Sequence, residues 1–114
     1  MTMTVLQQLP YISINQLAST EFKHTWSDHF SIEPYLYRGE AANISPALSD
    51  QFIGDFYGLL TEMGFKYEHF WYILRINGMF SPEDWLGDKV LIYGVNTHAL
   101  IKLLERYLST LSRL

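Results

Sequence analysis

Leu100, Leu103, Leu104, Tyr107, Leu108, Leu111 and Leu114 recur at intervals of three or four residues. That period places all of them on one face of a helix, and Ile101 widens the face. Asn96, just upstream, can accept hydrogen bonds from the orphan amides of a first turn, so it reads as the cap. The stripe is longer than a three-turn helix needs in order to pack on a small core. It is therefore expected to serve as a seam with another subunit, in a coiled coil or bundle. Packing onto its own domain is the alternative the same pattern allows.

Two more helical blocks lie upstream. Phe52, Ile53, Phe56, Tyr57, Leu59 and Leu60 share helical spacing. Ser49-Asp50 reads as the start of this helix, with Asp50 placing negative charge at the positive end of the macrodipole, and Gly64 as its end. Gly54 and Gly58 fall inside it. Each costs about 1 kcal/mol against alanine, so each is expected to let another element approach closely, unless the helix stops at Gly58. Residues 67–77 form the next helix, with Phe70, Trp71 and Leu74 on one side and Ile73 and Ile76 broadening it. Asn77-Gly78 closes it, since both tolerate the left-handed backbone of a C-cap.

Ser81-Pro82-Glu83-Asp84 and Gly87-Asp88 read as turns. Residues 89–93 then alternate as a strand, with Val90 and Ile92 on one face and Leu91 and Tyr93 on the other. Pro34 precedes Tyr35-Leu36-Tyr37, which reads as a short strand because rings favour the pleated surface. Residues 39–46 read as a loop. The first 33 residues mix polar and aromatic types; a short helix over 15–22 with Asn15 as cap is the one element expected there. The core predicted from these patterns is Phe52, Phe56, Phe70, Trp71, Leu74, Val90 and Ile92.

The chain has 114 residues and no cysteine, which excludes disulfides, thiolate zinc sites and cysteine nucleophiles. Eight tyrosines, seven phenylalanines and three tryptophans are many for one domain to hide. Some rings are expected to face partners, where they give large contact area at low entropy cost; filling the core is the alternative. The net charge of −4, with no run of lysine or arginine, argues against nucleic acid. No signal peptide or membrane span is expected.

Catalytic and metal patterns are missing. His24 and His29 are not at the i, i+4 spacing of a helical metal pair, although Asp28 lies between them. His69 follows Glu68 with no second ligand at helical spacing, and His98 falls in a first helical turn. Glu83-Asp84 read as turn acids and Asp50 and Asp55 as helix N-terminal charges. There is no nucleophile elbow, and the glycines lack the Lys-Ser/Thr sequel of a phosphate loop. The reading is of a protein with no catalytic residues, no metal and no cofactor.

One stretch resembles a known family. The segment Asp50-Gln51-Phe52-Ile53-Gly54-Asp55-Phe56-Tyr57-Gly58 is followed by the aromatic pair Phe70-Trp71. Asn77 comes next, then Met79 with the nearby Pro82, then a strand introduced by Gly87-Asp88. This order resembles the LysM-like domain of contractile-tail baseplate proteins, and Tyr35-Leu36-Tyr37-Arg38-Gly39 resembles the strand that opens such domains in phage wedge proteins. The likeness spans about residues 34–94. The chain departs from the pattern in a longer link before Phe70-Trp71, a long loop over 40–48, and Tyr93-Gly94 where a proline often ends the last strand. Phe65, Tyr67, Glu68 and His69 occupy the neighbourhood where ordinary LysM modules hold amino sugars, and they form no clear sugar platform.

The resemblance implies an α+β fold with a LysM-like β-α-α-β core over 34–94. An extended N-terminal arm over 1–33 and a C-terminal amphipathic helix over 95–114 would flank it. It implies a virion structural protein of the tail baseplate or of a contractile injection system. Such a protein is made in the host cytoplasm and present in multiple copies of a symmetric assembly, clamping tube, sheath or wedge proteins, with no nucleic-acid or membrane partner. The residues expected to meet partners are Tyr35, Tyr37, Phe65, Tyr67, Trp85, Leu100, Leu104, Tyr107, Leu108 and Leu111. The alternative is a peptidoglycan-binding LysM module.

Overall fold

The computed structural model describes residues 17–112. It is a mixed helical chain with one small antiparallel sheet. The described residues divide into two compact units, 17–37 with 96–112, and Arg38–Val95.

The first unit is helical. Helix α1 is Thr20–Ile32, started by Ser19, whose side chain accepts from the Phe22 amide at 3.1 Å. No glycine or proline interrupts it, and the residue before Pro34 is pushed out of helical geometry, which ends it at Glu33. Pro34–Tyr37 is a single helical turn, α2, because proline suits the first position of a helix as well as the start of a strand. The final helix of the chain, Thr97–Leu111, begins at Asn96, whose side chain accepts from the Ala99 amide. Asn96 also donates through its side chain to the Leu36 carbonyl at 2.9 Å and through its backbone to the Tyr37 carbonyl at 2.8 Å, tying the helix start to α2.

Ala99, Leu100, Leu103, Leu104 and Leu108 are buried on this last helix, as are Phe22, Trp26 and Tyr37 on α1 and α2. Phe22 meets Tyr107 at 5.4 Å between ring centroids, and Trp26 meets the edge of Tyr37 at 5.8 Å. Three sequence expectations are corrected here. Residues 20–32 are a packed helix rather than part of an extended arm; Asn15 and the rest of residues 1–16 lie outside the described residues. Tyr35-Leu36-Tyr37 is helical, not a strand. Leu100, Leu103, Leu104 and Leu108 of the stripe are buried within the first unit, where the last helix packs on α1 and α2 and Phe22 meets Tyr107, while Leu111 is 43% exposed.

The second unit opens with β1, Arg38–Asn43, and closes with β2, Leu91–Val95. They pair antiparallel, Ala41 opposite Tyr93 and Asn43 opposite Leu91, with an irregularity between Arg38 and Ala41. A Cβ at Gly39 would lie 2.8 Å from the Val95 carbonyl group, so the strands approach there as only glycine permits. The stretch expected as a loop thus holds a strand. Between the strands run α3, Pro46–Gln51, and α4, Phe56–Met63; a 3₁₀ turn, Tyr67–His69, leads into α5, Phe70–Ile76, and a second 3₁₀ turn, Pro82–Asp84, follows. The last helix, Thr97–Leu111, is therefore α6.

The single helix expected from Ser49 to Gly64 is two. Ser45 caps α3 and Asp55 caps α4, its carboxylate accepting from the Gly58 amide at 3.0 Å. Gly54 turns the chain between them at φ 79°. Gly64, at φ 87°, ends α4 as expected, and Phe65 donates back to the Leu60 carbonyl at 3.0 Å.

Ile44, Phe56, Leu59, Leu60, Ile73, Leu74, Met79, Trp85 and Ile92 make the buried core of this unit, with Phe52, Phe65, Phe70 and Val95 packed on its rim. Of the predicted core, Phe56, Leu74 and Ile92 are buried, Phe52 and Phe70 half-buried, and Trp71 also half-buried, packed edge-on to Tyr72. The α5 register is shifted: Tyr72, Ile73, Leu74 and Ile76 are the buried residues. Val90 is 65% exposed because it precedes β2 and does not share the inward face of Ile92.

Candidate interaction surface

The second unit's loops carry its most exposed large apolar side chains. Trp85 is fully buried and organises them. Its indole N–H donates to the Ser49 carbonyl at 3.1 Å, and its own carbonyl accepts from the Gly54 amide at 2.8 Å. These two bonds join the α3–α4 connection to the chain after Pro82–Asp84. Gly87 sits at φ 71°, and the Ile53 side chain and the Asp50 carboxylate both flank it, 3.0 and 3.3 Å from where a Cβ would stand. Leu86, between the buried tryptophan and this turn, points outward and is 67% exposed; Ile53 is 55% exposed.

A second apolar tip is fixed beside them in sequence. The Asp84 carboxylate accepts from the amides of Phe80 and Ser81, both at 3.0 Å, while Ser81 accepts from the Glu83 amide, a capping box that holds the turn. Phe80 is thereby presented at 76% exposure. The Arg75 guanidinium lies over its ring at 4.1 Å and 6.0 Å from Trp71.

Asn77 closes the unit internally. Its side-chain amide donates to the Ile73 carbonyl at 2.7 Å and the Tyr93 carbonyl at 2.9 Å, and its oxygen accepts from the Tyr93 amide at 3.0 Å. The side chain thus pairs with β2 as a neighbouring strand would. Lys89 donates to the Asn77 carbonyl at 2.7 Å, and Arg38 lies over the Tyr93 ring at 4.4 Å.

The expected partner-facing residues do not form one surface. Tyr35 and Tyr67 are exposed, and Leu111 is partly so. Tyr37, Leu100, Leu104 and Leu108 are buried in the first unit, with Tyr107 half-buried against Phe22. Phe65 is half-buried on the rim of the second unit's core. Trp85 is core rather than contact surface, because its N–H finds a buried carbonyl. Ile53, Phe80 and Leu86 were not picked out from the sequence. Their signal was a lone apolar residue set beside a turn-forming Gly or Ser-Pro.

The histidines are not gathered. Among the described residues no group of three His, Cys, Asp or Glu side chains is placed to hold a metal ion. Burial lowers the pKa of His69, with Glu68 raising it and Lys66 lowering it. Burial raises the hydroxyl of Tyr72 well above the ordinary tyrosine range. A shallow groove on the first unit is lined by Thr25, His29, Leu103, Arg106, Tyr107 and Thr110. The hydroxyls of Thr25 and Thr110 bond to carbonyls of their own helices. No helix among the described residues is long and apolar enough to cross a membrane. No protein-family model, curated protein or solved structure matches the chain.

Proposed function

We propose that the chain is a non-catalytic assembly protein of a contractile-tail baseplate, with residues 38–95 acting as a LysM-like module that clamps neighbouring tube, sheath or wedge subunits. One observation carries the reading. Two strands that begin and end the segment pair with each other around helices α4 and α5, and Asn77, at the end of α5, completes the edge of the closing strand. The sequence resemblance implies a strand-helix-helix-strand order; here the opening strand is Arg38–Asn43 rather than Tyr35-Leu36-Tyr37, and α3 and two 3₁₀ turns are added.

The exposed, braced loops at Ile53, Phe80 and Leu86 suit a protein that works by contact. Large apolar side chains held in fixed loops can fill a partner's pockets at small ordering cost. The leucine stripe of α6 is occupied within its own unit, so the clamp is assigned to the second unit's loops. Mass-spectrometric inventory of particles purified from producing cells tests the proposal. The expected result is the protein at a fixed stoichiometry to the sheath and tube proteins. Its absence from sheath-bearing particles, together with retention on insoluble peptidoglycan, would replace this reading with a peptidoglycan-binding LysM module.

A further inference from the structure

The net charge of the chain is unevenly placed. Residues 38–95 hold eight of its twelve acids and four of its eight bases, so this segment carries the whole −4 and the remainder is balanced. Five of those acids, Asp50 in the last turn of α3 and Asp55, Glu83, Asp84 and Asp88 on the connections that present Ile53 and Leu86, are all exposed. Asp50 is tied to the patch directly, since its carboxylate and the Ile53 side chain flank the same glycine, between Leu86 and Asp88. Three of the segment's bases are engaged with other groups: Arg38 over Tyr93, Arg75 over Phe80, and Lys89 on the Asn77 carbonyl.

We propose that the Ile53–Leu86 patch with its acidic rim docks a basic amphipathic segment of a partner protein, one that offers large apolar side chains to the patch and lysine or arginine to the rim. The apolar pair supplies the area-dependent attraction. The rim supplies orientation and steering, and it rejects acidic segments. Asp84 and Asp55 serve as caps through one carboxylate oxygen each, whereas Asp50, Glu83 and Asp88 are the acids left to meet a partner's charge. The proposal rests on the assembly reading, naming the chemistry of what the module clamps.

Fluorescence anisotropy of a labelled leucine/lysine amphipathic peptide against the full chain tests it, with a matched leucine/glutamate peptide and a serine/lysine peptide as comparisons. The leucine/lysine peptide is expected to bind, more weakly as salt is raised, and the other two to bind at least about tenfold more weakly, a loss of about 1.4 kcal/mol. Ile53→Ser with Leu86→Ser should weaken it about tenfold or more. Asp50→Asn with Asp88→Asn should weaken it and flatten the salt dependence. All four side chains are exposed, so thermal melts should stay close to wild type, and Leu111→Ser, on α6, should change nothing. Equal binding of the leucine/glutamate peptide overturns the proposal. So does wild-type affinity in the Ile53/Leu86 variant, or equal binding of the serine/lysine peptide, which would leave charge attraction alone. Particle inventory decides the baseplate reading separately, so failure of one is distinguishable from failure of the other.

Discussion

Replacing Asn77 with alanine removes three side-chain hydrogen bonds; the Ile73 carbonyl keeps the backbone amide of residue 77, while the Tyr93 amide and carbonyl lose the side chain that pairs with them. The side chain is buried and bridges the Ile73 carbonyl at the end of α5 and both backbone groups of Tyr93 in β2. Each bond contributes about 1 kcal/mol net, so Asn77→Ala is expected to cost about 3 kcal/mol. Backbone geometry adds nothing, because Asn77 sits at φ −89° and alanine adopts that freely. Urea unfolding, followed by circular dichroism and by tryptophan fluorescence, measures the loss. Asn77→Asp sharpens the test. A carboxylate can still accept from the Tyr93 amide, but it faces two carbonyl oxygens, which disfavour its charge and raise its pKa in the folded state. Its deficit should therefore shrink as pH falls, when the protonated acid can donate one bond. A loss under about 1 kcal/mol for Asn77→Ala would refute the account of Asn77 as the edge partner of β2.

Gly58→Ala would ordinarily stabilise a helix by about 1 kcal/mol, but here the new methyl would run into the capping Asp55 carboxylate and the Phe52 ring. A net loss of about 1–2 kcal/mol is expected, smaller in an Asp55→Ala background; a gain in melting temperature would show the cap is not formed. Leu104→Asp puts a charge at a fully buried site and should unfold the first unit, read as loss of helical signal; a folded variant would return α6 to the role of an intersubunit seam. The His69 pKa is lowered on folding, so the unfolded chain takes up a proton more readily. Stability should fall as pH drops below the ordinary histidine value of about 6.5, and His69→Gln should flatten that part of a urea-midpoint series; an unchanged slope assigns it to other groups.

Element ends were the legible part of the sequence. Gly64, at a positive φ, and Asn77-Gly78, where Gly78 takes φ 83°, stop helices for reasons local to their own backbones, so a single sequence announces them. What each face packs against was less legible. The α6 stripe states that something covers it, but Phe22 and Trp26 alone mark the covering helix, and two rings in a polar stretch read equally well as an arm. The break at residues 52–55 was hidden because Phe52, Ile53 and Phe56 keep helical spacing across a turn that Gly54 and the Asp55 cap impose. Trp85 and Tyr37 were assigned to partners on ring chemistry alone. The buried Ser49 carbonyl that receives the Trp85 N–H comes from a residue thirty-six positions away, and no local pattern reports it.

This difference moves the expected binding function from helix to loop. A seam on α6 would have exposed leucines whose burial drives association by area alone. With that stripe occupied, the exposed large apolar side chains of the second unit are few: the Ile53–Leu86 pair, Tyr67, Phe80, Val90 and Leu91. So few residues give too little area to hold a partner by hydrophobic burial alone, since a stable interface needs on the order of 800 Å² per partner. They can act as anchors if their loops are rigid beforehand. The structure supplies that rigidity: Asp84 holds the Phe80 and Ser81 amides, Trp85 fastens its loop to Ser49 and Gly54, and Gly87 fits where a larger residue would meet Ile53. Preorganised tips ringed by acids bind through fit and charge. Affinity should therefore depend more on these braces and on ionic strength than on the apolar area exposed.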